Sequence, residues 1–319
     1  MISPHRRIVW LVRAFKLIVI AAVLWGVYRA LRGSFDELRE HTFELNYAWL
    51  LVAAAVYLVS LLPSGCYWLS ILDSLGQRST WLRGLRAYYI GHLGKYVPGK
   101  AMVVILRTGL VRGRGVRASV AAVSVFLETL TMMASGAFLA GLMILIQYRQ
   151  HLWLAALAGV LTIAAGLPTL PPIFRRLVRW MPKRMLPDAD QLPLERINFR
   201  LLATGWLATS VGWVLMGISL GATMRAMDIA GADILRLLPL YIACVSLAVV
   251  AGFLSLIPGG AGVRELILGV LIAQQFGQTA AVLTAVMLRL VWLGSEVVIS
   301  SVLYVVGRSM DLRVREEQA

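Results

Sequence analysis

A charged pair stands beside a break in the backbone between two apolar segments, in the stretch SLIPGGAGVRE at Ser255–Glu265. Its helix-breaking residues are Pro258, Gly259, Gly260 and Gly262. Proline lacks the backbone N–H and glycine permits conformations that other residues avoid, so a regular helix should stop here. Inside a membrane, non-helical backbone is tolerated only where protein buries it or where it lines a wet cavity. We therefore expect Arg264 and Glu265 to lie in a polar site inside a helical bundle, with an ordinary interfacial loop as the alternative.

The first half of the chain carries a related break. The sequence YVPGK at Tyr96–Lys100 resembles LIPGG at Leu256–Gly260. The helix-breaking residues of the first motif are Pro98 and Gly99. At a similar distance after each break, a long apolar segment carries a charge, Glu128 in the first half and Arg289 in the second. Interrupted segments at matching places in two halves are typical of a transporter-type binding site, and chance similarity between membrane helices is the alternative.

Several further ionisable residues fall within or beside apolar segments. A charge at the bilayer centre costs about 2.5–3.5 kcal/mol, so such side chains should face the bundle interior and find partners. We predict a network of Arg107, Glu128, Arg264, Glu265, Arg289 and Glu296. The residues predicted to bind an anionic group are Lys95, Lys100, Arg107, Arg264 and Arg289. The fork of an arginine can bind two phosphate oxygens at once, and helix N-termini after the breaks would add backbone donors. We predict that Glu128, Glu265 and Glu296 form charge pairs or carry a proton, with ion pairs that only hold the bundle together as the alternative.

The sequence favours neither a metal centre nor an enzyme. Its two cysteines, Cys66 and Cys244, lie far apart in apolar segments and lack metal-ligand or disulfide spacing. No metalloprotease, nucleophile-elbow or phosphate-loop motif occurs. We therefore predict no metal, no cofactor and no catalytic residue.

The composition is that of an integral membrane protein. Hydrophobic residues make up 59% of the chain and its mean hydropathy is +0.77, whereas soluble domains are about 45–50% apolar. A net charge of +15 would suggest nucleic acid in a soluble protein. Here most basic residues lie in short loops beside apolar segments, so the positive-inside rule and anionic headgroups explain them better. The predicted partners are therefore membrane lipids with anionic headgroups and no nucleic acid, and the basic N-terminus is predicted to be cytoplasmic.

We predict a single all-α integral membrane domain over residues 1–319. It is a polytopic bundle of about seven to eight transmembrane helices, with two Pro-Gly broken or re-entrant elements in an internal repeat. The halves of the repeat cover about residues 1–172 and 201–306, and a basic cytoplasmic loop at 173–200 joins them. Ala87–Arg107 is predicted to form a re-entrant hairpin or a pair of half-helices. Whether Pro258–Phe276 re-enters or crosses, and on which side the C-terminus lies, stays open.

Four motifs together resemble one known family. They are GHLGKYVPGK at Gly91–Lys100, GVRASVAAVSVFLE at Gly115–Glu128, the stretch at Ser255–Glu265, and AAVLTAVMLRLVWLGSE at Ala280–Glu296. With these residues the chain resembles the flippase-like transmembrane domain of the lysylphosphatidylglycerol synthases, which occurs in bacterial multiple peptide resistance factors and in stand-alone proteins. The resemblance implies a helical bundle in the bacterial inner membrane that moves or presents a lipid. We expect a stand-alone member without the soluble aminoacyl transferase domain, so lysyl-lipid chemistry is not implied. Some stand-alone members are associated with hopanoid or glycolipid pathways.

Three functional hypotheses follow. The first is a lipid translocase that moves or presents a phospholipid, glycolipid or isoprenoid lipid through an intramembrane cavity lined by Arg and Glu. The second is a non-catalytic scaffold of a lipid or hopanoid biosynthesis pathway, with lipid-synthesis enzymes as partners. The third and least favoured is a membrane-embedded lipid-phosphate glycosyltransferase. The lipid, the direction and energy source of transport, and the oligomeric state stay open.

Overall fold

The computed structural model describes Trp25 and residues 45–316, apart from 78–79, 98–100, 112–116, 148–151, 183–185, 187–190 and 256. The basic N-terminus, predicted to be cytoplasmic, lies outside these residues, as do Pro98, Gly99 and Lys100 of the first break. The apolar run that follows the N-terminus, to about Tyr28, is the predicted first span, and only Trp25 of it is described. The described residues form helices joined by turns, and none of them lies in a β-strand. The predicted all-α class is therefore confirmed for the described part of the chain.

Nine α-helices lie between residues 45 and 316 in the described part. In chain order they are α1 (Tyr47–Ser74), α2 (Trp81–His92), α3 (Ala101–Val111), α4 (Ala118–Gln147), α5 (Leu152–Gly166), α6 (Pro171–Trp180), α7 (Phe199–Ala226), α8 (Leu238–Leu254) and α9 (Val263–Glu316). Helix α9 is interrupted at Gly277, whose φ of 82° and ψ of 165° are not helical. The interruption separates a short apolar piece from the long final segment, a division that the sequence also indicates.

Four of the described helices, α1, α4, α7 and α9, are long and apolar enough to cross a membrane. A bent pair formed by the end of α5 and by α6 raises the number to five if the pair counts as one span. The prediction of about seven to eight crossings stays a prediction, because only Trp25 of the first predicted span is described and α3 and α8 are short apolar helices.

Helices α1 and α7 form the most extensive helix pair of the described part. Helix α7 presents a small residue to α1 at every seventh position, namely Gly205, Gly212 and Ser219. A Cβ at Gly205 would lie 2.2 Å from the ring of Tyr67, so only glycine allows this approach. Further along, the Ser219 hydroxyl donates a hydrogen bond of 2.8 Å to the carbonyl of Ala53. Small residues therefore bring the two halves of the chain into direct backbone contact.

Asparagine caps begin both of these helices. The Asn46 side chain accepts hydrogen bonds from the N–H groups of Ala48 and Trp49, and the Asn198 side chain accepts one from Leu201. Such caps satisfy backbone donors that have no partner within the helix. The N–H of Asn46 also donates to the carbonyl of Ala226 at 2.8 Å, which ties the start of α1 to the end of α7. The two helices are therefore antiparallel.

The segment at 173–200, which the sequence suggests is a loop, contains a helix. Helix α6 begins at two prolines, which suit the first helical turn because their missing N–H groups would have no partner there. It buries Phe174 and Val178, and its axis is bent by 69° from that of the preceding helix. The Arg175 guanidinium donates to the carbonyl of Ile197 at 2.7 Å, so the rest of the segment is anchored on α6. Alternating apolar and basic residues thus form an amphipathic helix rather than a solvated loop.

Candidate functional site

The second break is a tight turn built on glycines. Gly259, Gly260 and Gly262 have φ angles of 61°, 66° and 83°, in the left-handed region that side chains disfavour. A Cβ at Gly260 would lie 2.8 Å from Nε of Arg264 and 2.9 Å from Cα of Gly252. The stem of Arg264 therefore lies between the turn and α8, in space that exists only because both neighbours are glycines.

Glu265 joins the turn to the final long segment of α9. One of its carboxylate oxygens accepts a hydrogen bond of 2.8 Å from the N–H of Gly262, the residue that precedes α9. A carboxylate in the first helical turn commonly satisfies this orphan donor. The other oxygen accepts a hydrogen bond from the Arg289 guanidinium. Glu265 thus fixes the position of Arg289 and neutralises one of two neighbouring arginines.

A small cavity lies between the second break and α9. Its volume is about 40 Å³, and its polar lining includes Arg264, Glu265 and Arg289. Tyr96 and Trp292 form part of its wall. A water molecule needs roughly 10–15 Å³ of such space, so the cavity has room for about three waters and is too small for a lipid headgroup in this conformation. The buried Nε of Arg264 has no hydrogen-bond partner among the described residues, so Arg264 has binding capacity left beside the cavity.

The two breaks meet at the edge of this cavity. Tyr96 ends the 3-10 turn of the first break, Leu93–Tyr96, and a Cβ on Gly259 of the second break would lie 2.9 Å from its ring. Helices α2 and α3 flank the first break and pack against each other, and a re-entrant hairpin or a pair of half-helices stays a prediction for this region. Two interrupted elements, remote in sequence, therefore come together in one place.

Next to the cavity, Glu296 of the second half of the chain is buried, and its polar partners come from the first half. Lys95 of the first break donates to its carboxylate at 2.5 Å, and the Tyr57 hydroxyl also donates to it. The ring of Tyr57 stacks on Trp292 with centroids 4.4 Å apart, and the Trp292 indole donates to Ser219 at 3.0 Å. This arrangement links α1, α7 and the final segment of α9 through one polar chain.

Arg107 and Glu128 form a separate ion pair behind the first break. Their charged groups are 2.8 Å apart, and their side chains are only 3% and 2% exposed. The Tyr88 hydroxyl donates to the second carboxylate oxygen at 2.9 Å, and the Arg107 guanidinium lies 4.0 Å from the centre of the Tyr88 ring. Aromatic rings and a carboxylate therefore enclose Arg107. It is not among the residues that line the cavity.

The charged residues expected from the sequence to form one network are divided into groups. Arg107 pairs with Glu128, Arg289 pairs with Glu265, and Glu296 pairs with Lys95. No carboxylate in the described part of the chain lies within ion-pair distance of Arg264. Lys100 lies outside the described residues, and the assigned roles in binding or proton coupling stay predictions.

Sequence reasoning missed the aromatic partners of these charges. Tyr57, Tyr88, Tyr96 and Trp292 all touch the charged groups or the cavity. A tyrosine or tryptophan in an apolar segment needs a hydrogen-bond partner when it is buried, and that requirement is the signal that could have found them.

The family profile described as the lysylphosphatidylglycerol synthase TM region matches residues 13–295. No curated protein matches the chain significantly. The matched region contains both breaks, the Arg107–Glu128 pair and the cavity, and it ends one residue before Glu296.

Proposed function

Because the chain belongs to the family of lysylphosphatidylglycerol synthase TM regions, we propose that it is a lipid translocase that moves or presents a lipid across the bacterial inner membrane. The family supports a membrane lipid-related function, and the site suggests how a headgroup is held. The observation that carries the proposal is the meeting of the two backbone breaks beside a cavity that contains Arg264 and Arg289. Broken helices that meet inside a bundle are a recurring way to place donors and charges around a translocated solute.

The charge of the cavity favours an anionic headgroup. Two arginines and one glutamate line it, so the lining carries a net positive charge. The Arg264 guanidinium is the donor with capacity to spare, whereas Arg289 is oriented by Glu265. A phosphate of a phospholipid, glycolipid or isoprenoid lipid offers several acceptor oxygens to such a pair. The lipid tails would stay in the bilayer while the headgroup crosses.

The cavity must widen before a headgroup can enter. Its present volume of about 40 Å³ corresponds to a closed state. Its walls belong to elements that glycines interrupt. The glycines of the second break and Gly277 interrupt the helices on both sides of the short piece of α9. Movement of this piece would expose Arg264 and Arg289 to one leaflet of the membrane and leave the Arg107–Glu128 ion pair in place. We propose this motion as the gating step.

Translocation in liposomes tests the proposal. Purified protein is reconstituted with trace fluorescent lipids of anionic and zwitterionic headgroup, and flipping is followed by dithionite quenching of the outer leaflet. Arg264→Ala and Arg289→Ala should each slow translocation of the anionic lipid about 10- to 100-fold, since a hydrogen bond to a charged group contributes about 1.5–3 kcal/mol. The matched control is Arg225→Ala, which removes an exposed arginine stacked on Trp49.

Two results would contradict the proposal. One is a folded wild-type protein that moves no lipid of the panel, which would favour the scaffold or glycosyltransferase hypotheses. The other is translocation that survives both cavity variants at the rate of the Arg225→Ala control. Arg289→Lys separates charge from geometry, because lysine keeps the charge but cannot form the two-pronged contact.

The proposal also includes the membrane crossings, the side of the N-terminus and the lack of catalysis that the sequence predicts. About seven to eight helices would cross the membrane, with the N-terminus in the cytoplasm, and the chain would act without covalent chemistry or a cofactor. Glu296 is proposed to carry a proton that couples transport to a gradient. Glu296→Gln should then abolish any dependence of flipping on an imposed pH gradient, and an unchanged dependence would exclude this role.

A further inference from the structure

Two grooves that are separate from the central cavity lie at the junction of α5, α6 and α7. Helix α5 runs back along α4, a candidate membrane-crossing helix, so that Gly166 lies beside Ala134. Helix α6 is turned by 69° from the end of α5 and therefore runs close to the membrane plane. Its exposed residues include Arg176, Arg179 and Trp180. Arginine together with tryptophan on a helix in the plane of the interface is typical of contact with headgroups.

A basic groove follows this helix. Its volume is about 690 Å³, and Arg175, Arg176, Arg179, Trp180 and Glu195 contribute to its lining. Arg175 is occupied, because it donates to the carbonyls of Glu195 and Ile197. Arg179 is 3.0 Å from the Glu195 carboxylate, but both side chains are mostly exposed and such pairs are weak. Arg176 and Arg179 can therefore bind an anion in the groove.

An almost wholly apolar groove lies on the other side of the same junction. Its volume is about 550 Å³, and its lining includes Ile163, Leu167, Leu170, Phe199, Leu202 and Trp206. Leu170 lines the apolar groove and Pro172 the basic one, so their linings come within two residues of each other along the chain. On the side of α7 the linings come within four residues of each other, with Glu195 in the basic groove and Phe199 in the apolar one.

We propose that this junction is a binding site for one acidic diacyl phospholipid, separate from the translocation cavity. The phosphate binds Arg176 and Arg179 in the basic groove, and an acyl chain lies in the apolar groove between α5 and α7. A soluble phosphate compound would use only the first groove. A lipid uses both, and its amphipathic shape matches the change from basic to apolar lining. The bound lipid holds α6 at the membrane surface and is not itself transported.

Native mass spectrometry of the full chain in neutral detergent tests this site. The probes are dioleoyl phosphatidic acid, dioleoyl phosphatidylcholine and, as a soluble headgroup, glycerol phosphate. The double variant Arg176→Gln/Arg179→Gln should bind phosphatidic acid about 25-fold more weakly at one site, since each basic residue near an anionic surface contributes about fivefold. The matched control is Arg225→Gln/Arg236→Gln, which removes two exposed arginines near the other end of α7.

A second variant tests the apolar groove without changing charge. Ala203 is exposed and lines this groove, so Ala203→Trp should fill it and leave the fold intact. It should displace phosphatidic acid and leave any binding of glycerol phosphate unchanged. Arg264→Ala should keep the lipid at this site, which separates it from the translocation cavity. Equal phosphatidic acid binding in the two double-arginine variants would overturn the proposal. So would equal binding of phosphatidylcholine, or displacement of the lipid by millimolar glycerol phosphate.

Discussion

Two clusters of charge in this molecule, one buried and one half-buried, differ in what surrounds them. At the first, Arg107 and Glu128 are almost fully enclosed, and Tyr88 completes the coordination of the carboxylate. At the second, Arg264 and Arg289 border a small cavity beside a turn of glycines with positive φ. Both clusters place arginine and glutamate at the centre of an apolar protein. Within the described part of the chain, the Nε atoms of Arg107 and Arg264 both lack a hydrogen-bond partner, but Arg107 is enclosed in an ion pair whereas Arg264 lines the cavity.

The difference shows that a charge inside a membrane does not by itself mark a functional site. An enclosed ion pair away from the cavity can hold helices together and has nothing to offer a ligand. Irregular backbone and a cavity beside an arginine outside any ion pair leave binding capacity and the freedom to move. The two clusters should therefore respond oppositely to the same substitution, with stability affected at the first and transport at the second.

The largest expected effect on stability is at the first cluster. Arg107→Met should destabilise the protein by about 3–5 kcal/mol, because it leaves the Glu128 carboxylate buried without its charged partner. Thermal unfolding in detergent, followed with a thiol-reactive dye at the buried cysteine Cys244, measures the loss. The exposed pair gives the control, since Arg179→Gln should change stability by less than about 1 kcal/mol.

A double variant sharpens this first prediction. Arg107→Met combined with Glu128→Leu removes both charges and keeps apolar volume, so it should recover most of the lost stability. If the double variant is as unstable as Arg107→Met alone, the loss arises from packing against Tyr88 and Trp68 and not from the unpaired charge.

The next largest effect is expected at the glycine turn of the second cluster. Gly260→Ala should destabilise the protein by about 2–4 kcal/mol, since the new methyl group meets Arg264 and Gly252 and the backbone is left-handed. Thermal unfolding and lipid flipping should both fall.

Two other glycines separate the causes. Gly262 also has a left-handed backbone conformation, but the space around a new Cβ is free. Gly262→Ala should therefore lower the free energy of unfolding by only about 1–2 kcal/mol. Gly269 lies within a helix with nothing near its Cβ, and Gly269→Ala should be neutral or stabilising by up to about 1 kcal/mol. Equal effects at all three positions would show that close packing around Arg264 is not the constraint.

Much of the fold was predictable because apolar length and helix breakers determine it. The apolar length of Ala118–Gln147 predicts a spanning segment with these bounds, and α4 has them. The interruption before the last segment falls at Gly277, just after the predicted element Pro258–Phe276. The helix within the basic linker was not predicted. Its apolar positions Phe174 and Val178 alternate with arginines in a segment that net charge alone suggests is a loop. Charge counting hides amphipathic periodicity, which is the signal for such a helix.

The sequence predicts which charged residues lie near the site, but it does not predict which of them pair with one another. Arg289 and Glu296 lie two turns apart on one helix, which suggests mutual contact, yet each pairs with a residue from elsewhere. Which partner lies nearest depends on how the two breaks pack against each other. A single sequence does not specify the distances between residues of the two breaks. The contribution of Tyr57 depends on the same packing.

A smaller effect is expected where the two halves of the chain share a carboxylate. Tyr57→Phe removes one hydrogen bond to Glu296 and keeps the stacking on Trp292, so stability should fall by about 1.5–3 kcal/mol. Lys95 would still neutralise the carboxylate. Thermal unfolding again measures the change, and Tyr47→Phe, at a tyrosine that is mostly exposed, is the matched control with an expected change near zero. A loss no greater than that of the control would show that Lys95 alone satisfies Glu296.

The smallest change in stability is expected for Arg264→Met, the same substitution that should be most damaging at Arg107. Methionine keeps the apolar stem that lies between Gly252 and Gly260, and the lost Nε has no protein partner in the described residues. Removing a half-buried cation that is not in an ion pair leaves no carboxylate without its partner, so the change should lie within about 1 kcal/mol. Translocation of an anionic lipid should nevertheless fall about 10- to 100-fold, because the headgroup loses its free guanidinium. If Arg264→Met instead unfolds the protein as Arg107→Met does, both clusters are structural, and the distinction between an enclosed ion pair and a binding arginine fails for this molecule.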